Sequence, residues 1–262
     1  MIQINLLRLT SLILLLGFSQ QWMHAQNTFE FKKKIVSSTD DAEERQSGGT
    51  IDITSSDIEL VYDGTTVGNQ TVGLRFTNVD IPKDATIVSA YIQFWVDESN
   101  HTGATSVNIF GEASDQSSTF SSAGFNISNR TKTSASVAWS SIPVWPTVNV
   151  AGADQRTPDL KSVLLEITQR SGWSQGNAVT FLITGTGRRN AHAFDGSSSM
   201  APELVVTYIP KKAPVTQFPI SAQGVWMYHD SGYDLGTQWK DKSFVDTTWP
   251  FYFAKFGYGD NN

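Results

Sequence analysis

Four acidic side chains crowd the stretch STDDAEERQSGG, residues 38–49, where Asp40, Asp41, Glu43 and Glu44 fall within five positions and Gly48-Gly49 follow. A Ca²⁺ ion takes six to eight oxygens from carboxylates, carbonyls and water. A loop with four acids and trailing glycines can wrap such an ion. Asp57 and Glu59, in SSDIEL, would complete the cage if the two segments lie side by side. The acids do not follow the D-x-D-x-D-G order of an EF-hand, so a second reading stands beside the first. It is a solvated acidic turn braced by a cation such as Arg189. Paired carboxylates also serve glycoside hydrolysis, but spacing singles out no pair here.

Two further constellations could meet a ligand. TGTGRRNAHAFDGSSS, residues 184–199, follows the strand-like AVTFLITG and must turn. Arg188, Arg189 and His192 suit an acidic ligand, and Phe194 offers a ring to a sugar. No helix follows its glycines, so it is a poor phosphate cradle. In SVAWSSIPVW, residues 136–145, Trp139 and Trp145 flank a proline-containing turn. Sugar C–H faces stack on such rings, although core packing is the other use of a Trp.

Hydrolase signatures are missing: there is no G-x-S-x-G, H-E-x-x-H or P-loop. The 4 His are scattered and none stands at metal-ligand spacing with a second. With 19 Lys and Arg against 25 Asp and Glu, the net charge is −6. That balance disfavours non-specific nucleic-acid binding, which needs clustered cations.

The elements that must position these residues are mostly strands. Residues 86–97 alternate, with Val88, Ala90, Ile92, Phe94 and Val96 set against Ser89, Tyr91, Gln93, Trp95 and Asp97. Residues 71–77 set Val72, Leu74 and Phe76 against Thr71, Gly73, Arg75 and Thr77. Further strands are expected at 28–36, 57–62, 105–112, 178–185 and 203–209. Many short alternating strands specify an all-β sandwich or jelly roll. One covering helix is expected over 157–172. Thr157 would cap it, Pro158 start it and Gly172 stop it, with Leu160, Val163, Leu164 and Ile167 on its apolar face.

The N-terminus reads as a secretory signal peptide over residues 1–25. Arg8 precedes the apolar run LTSLILLLGF, which is too short to span a bilayer, so no membrane span is expected after cleavage. The chain has 0 Cys, hence no disulfide framework. PKKAP, 210–214, reads as a linker after the sandwich of residues 26–209. Residues 215–262 are dense in aromatics and end at GYGDNN with no closing strand. They are expected to begin a second β module that is truncated here, as in the N-terminal piece of a longer protein.

SSTDDAEE, SSDIELVYDG, VGLRFTNVDIPKDATIVSAYIQF, GTGRRNAHAFDGS and the final strand APELVVTY together resemble secreted bacterial DNRLRE-type modules over about residues 34–209. The resemblance implies a β-sandwich that acts as a carbohydrate-binding module for alginate and related polysaccharides. The 157–172 helix departs from the shorter versions of that family. The tail, with Trp226, Asp230-Ser231-Gly232, Trp239, Phe244, Trp249 and Gly257-Tyr258-Gly259-Asp260, resembles the start of a galactose-binding-like jelly roll of the kind found beside calcineurin-like metallophosphoesterases. These likenesses imply a non-catalytic accessory region, extracellular or periplasmic, that positions a downstream domain on polysaccharide. The alternatives are the N-terminal part of a secreted hydrolase and a structural spacer or adhesin.

Overall fold

A computed structural model of the chain describes residues 27–211 and, in the tail, 225–227, 236–237, 240–245, 247–249 and 251–253. The expected signal peptide, most of the expected linker and most of the aromatic tail motif lie outside the described residues. The chain divides into two compact units, Met1–Lys211 and Lys212–Asn262.

The first unit contains β1 (Phe29–Lys34), β2 (Asp41–Arg45), β3 (Ile51–Asp52), β4 (Asp57–Glu59), β5 (Tyr62–Asp63), a one-turn helix α1 (Gly64–Val67), β6 (Gly68–Phe76), β7 (Thr86–Gln93), β8 (Ser106–Glu112), β9 (Lys132–Trp139), α2 (Lys161–Thr168), β10 (Val179–Thr186), β11 (Asn190–His192) and β12 (Glu203–Ile209). The second unit shows β13 (Val225–Met227) paired with β14 (Phe251–Phe253). The all-β sandwich expected from alternation is the fold.

Two antiparallel sheets face each other. The smaller runs β1-β12-β7; the larger runs β3-β2-β6-β10-β8-β9, with β5 beside β6. Val72, Leu74 and Phe76 of β6, Ile109 of β8, and Phe181 and Ile183 of β10 meet Ala90 and Ile92 of β7 and Leu204 and Val206 of β12 in one buried core. Each of these positions is an alternate residue of its strand, as a half-buried sheet requires. The outer face of the larger sheet carries a second, smaller core. There Ala42, Ile51 and Leu182 pack under Phe120 and Ile127 of the segment that joins β8 to β9. The Phe120 ring sits directly over Gly73, where a Cβ would collide with it.

Two expectations change in detail. The alternation of β7 breaks at Val88, which is 40% exposed while Ile87 is fully buried. Register shifts there, with Ser89 opposite Thr207 and Ile87 opposite Tyr208, so Val88 is the extra residue of a β-bulge. The helix also starts later than Thr157. Thr157 Oγ1 accepts the Ile92 amide of the free β7 edge, and Asp159 Oδ1 accepts both the Ala90 amide of that edge and the Lys161 amide at the helix start. Leu160, Val163, Leu164 and Ile167 are buried as the helical pattern required. From α2, Glu166 accepts the amides of Ser134 and Ala135 on edge strand β9. Those bonds occupy donors that another strand would otherwise recruit.

Candidate functional site

Asp41–Arg45 of the acidic stretch is a strand, entered through a 3-10 turn, Ser38–Asp40. β2 places Asp41 and Glu43 opposite Leu74 and Val72, on the core side, and Ala42 and Glu44 on the outer side. Gly48 and Gly49 form the β2–β3 turn at positive φ, where glycine carries no Cβ penalty. All four acids are at most 4% exposed. Buried carboxyls persist only with partners, and each here has its own. Asp40 takes the Arg75 guanidinium. Glu44 Oε2 accepts the amides of Ile127 and Ser128 at 2.7 and 2.9 Å, which pins the covering segment. Asp41 Oδ2 accepts the Phe194 amide at 2.8 Å, and burial pushes its carboxyl up to about 7. Glu43 Oε1 accepts the Glu59 amide at 2.8 Å.

The carboxyl groups of Glu43 and Glu59 share one cavity. Burial raises both, Glu59 to about 7 and Glu43 well above the ordinary range. Glu59 further accepts Gln70 Nε2 and Asn190 Nδ2, each at 3.2 Å, and Asn190 Nδ2 reaches Asp57 Oδ2 at 2.6 Å. The pair lines a cavity of about 410 Å³ with Arg45, Asp57, Asp63 and Gln70. Burial raises Asp63 as well.

Of the six acids expected to hold Ca²⁺, the structure thus brings Glu43, Asp57 and Glu59 to one cavity. Asp41 lines a smaller pocket with Glu43 and Asp57, while Asp40 and Glu44 are held by Arg75 and by the Ile127 and Ser128 amides. Among the described residues no three His, Cys, Asp or Glu side chains are arranged to hold a metal. The six acids are thus not gathered into one cage. The acids are buried rather than solvated, and the cation that braces Asp40 is Arg75 rather than Arg189.

Arg189 faces the other way. Its guanidinium donates to the carbonyls of Ile142, Pro143 and Gly103 and to Thr105 Oγ1. It is 3% exposed, and burial lowers its proton affinity. It holds the 142–145 turn and offers nothing to a ligand. Arg188 is partly open and bonds Asn190 Oδ1 at 2.7 Å and Glu98 Oε2 at 2.9 Å. His192 Nε2 lies 2.8 Å from Asn149 Oδ1. Its Nδ1 is 2.7 Å from Asp97 Oδ1, at ion-pair distance but out of hydrogen-bonding alignment. Phe194 packs against the core. Trp139 and Trp145 are core residues, stacked or tilted on Phe94 at ring-centroid distances of 6.1 and 6.4 Å. Their faces are closed to a sugar.

An open surface of suitable chemistry lies on the outer face of the β1-β12-β7 sheet. Register puts Lys32, Val205 and Tyr91 in one row and Lys34, Glu203 and Gln93 in the next. The Arg156 guanidinium sits 4.1 Å over the Tyr91 ring, and Lys34 Nζ sits 4.6 Å over the Trp95 ring. Lys34 also donates to the Ser199 carbonyl. Lys32 is ion-paired to Glu30 at 2.7 Å, both half exposed. The face thus presents two half-buried aromatic rings, each topped by a cation, with a third cation beside them. The sequence did carry a signal for it. Tyr91 and Trp95 stand on the polar side of the alternating 86–97 strand, where an apolar ring needs a reason.

No family model matches the chain, and no curated protein matches it.

Proposed function

We propose that the first unit is a polysaccharide-binding module of a secreted bacterial protein, and that its ligand is an anionic, alginate-like glycan lying along the outer face of the small sheet. The observation that carries this reading is the pair of cation-topped rings, Arg156 on Tyr91 and Lys34 on Trp95. With Arg156 and Lys34 lying over the rings, the cations take the carboxylates of the glycan and the rings hold the cations in place. The rings are four residues apart along one strand direction. Four residues of extended backbone at ~3.3 Å per residue span about 13 Å, room for more than one sugar unit. The acidic cavity is the wrong sign for such a chain. The leader-like first 25 residues and the DNRLRE-type resemblance agree with export and with glycan binding. Attachment to polysaccharide would raise the local substrate concentration of whatever domain follows.

Isothermal titration of the chain with alginate, beside a panel of neutral glycans, tests the reading. Binding that weakens as salt rises is expected. Flat isotherms across the panel would sink it. The tail favours a second reading, that the chain belongs to a secreted metallophosphoesterase. Two-metal His and Asp motifs encoded beyond Asn262 would support it, and adhesion repeats there would not.

A further inference from the structure

We propose that the Glu43–Glu59 carboxyl pair is a proton-dependent clasp that holds the β4–β11 ribbon to the large sheet and thereby sets the Trp95 end of the outer face. Glu43 and Glu59 are 4% and 5% exposed and line one cavity, and two buried carboxyls that share a site disfavour a second charge, so the pair keeps a proton. Glu43 belongs to the large sheet and Glu59 to β4, whose strand partner is β11. Glu59 extends the tie to Gln70 on β6 and to Asn190 on β11. β11 in turn meets the strand end that carries Trp95. The His192 amide donates to the Trp95 carbonyl at 2.9 Å, and the Asp97 amide donates to the Asn190 carbonyl at 3.0 Å. The ribbon therefore stands between the carboxyl pair and one of the two platform rings.

The charges around the pair decide what happens when the proton leaves. Asp57, Asp63 and Asp52 share its cavity, with Arg45 as the cation lining it. Arg188 stands 3.6 Å from Glu59 Oε1 but is shared with Glu98. Asp97, beside His192, adds a further acid behind the ribbon. A second negative charge in the pair meets more acids than cations, and separating β4 from β2 relieves it. The direction of the pH dependence follows from linkage. The folded pair holds a proton that the unfolded chain releases near pH 4.5. The stabilisation is thus complete below that pH and is lost as pH rises through about 7, where Glu59 titrates, and beyond.

The clasp rests on the glycan reading for its purpose, but its test needs no glycan. Amide-exchange protection factors at Asn190, His192 and Asp97 are measured from pH 5 to 9 in the parent, Glu43→Gln and Asp41→Asn chains. Gln at 43 keeps a donor for Glu59 and cannot ionise. The parent is expected to lose about tenfold or more of its protection as pH rises. Glu43→Gln should hold its protection, and Asp41→Asn should follow the parent. A parent that stays flat, or a Glu43→Gln chain that follows the parent, overturns the clasp. If Glu43→Gln does not fold, Glu59→Gln carries the same expectation. Flat alginate isotherms at every pH would remove the binding reading while leaving this result untouched.

Discussion

Two charged regions of the first unit use the same residue types to opposite ends. Around β2 and β4 the carboxyls are buried, and partners from distant segments take up their oxygens. On the outer face of β1-β12-β7 the cations lie over aromatic rings and remain open to solvent. Burial separates the two uses. A charge inside the sandwich costs several kcal/mol unless paired, so those acids are locked into the fold. A charge on the open face costs little to keep, and its pairing contributes little to stability. The many acids of 38–49 therefore build the molecule, whereas scattered lysines and an arginine stay over aromatic rings on an open face.

That contrast predicts a graded set of effects. Arg75→Ala strands Asp40 as a buried, unpaired acid and should cost about 3–5 kcal/mol by chemical denaturation. A loss under ~1 kcal/mol would mean that the buried region tolerates free charge, and the contrast would fail. Glu44→Ala leaves two amides of the covering segment without their acceptor. It should cost about 2–3 kcal/mol, with faster exchange at Ile127 and Ser128. On the open face, Arg156→Ala should leave the melting temperature within a degree or two and weaken alginate binding by roughly two- to fivefold, the scale of an exposed cation–π contact. Smallest of all, a chelator should leave the melting curve where it was, because the acids around β2 are already paired. A drop on adding EDTA would reinstate an ion among them.

The strands with apolar alternation were readable from sequence. β6, β7, β10 and β12 fall within a few residues of their expected limits, and Leu160, Val163, Leu164 and Ile167 are buried as their helical spacing required. β2 was not readable. DAEER carries one apolar residue and looks like a solvated turn, because its burial depends on Phe194, Ile127, Ser128 and Arg75, all remote in sequence. Trp139 and Trp145 had two uses on paper. Packing on Phe94 closed the one that needed an open face.

Sequence by itself determined the strands and the helix that carry an apolar period. Period-two alternation and helical spacing are local properties that each segment carries alone, and burying their apolar faces leaves few arrangements. Tertiary structure decided what the charged residues do. A carboxyl's role depends on which donor the fold brings within about 3 Å, and a ring's role depends on whether another segment covers its face. Neither is written in the spacing of neighbours along the chain. The pairing of Glu43 with Glu59, the capture of Arg189 by carbonyls and the stacking of Arg156 on Tyr91 all come from that long-range placement.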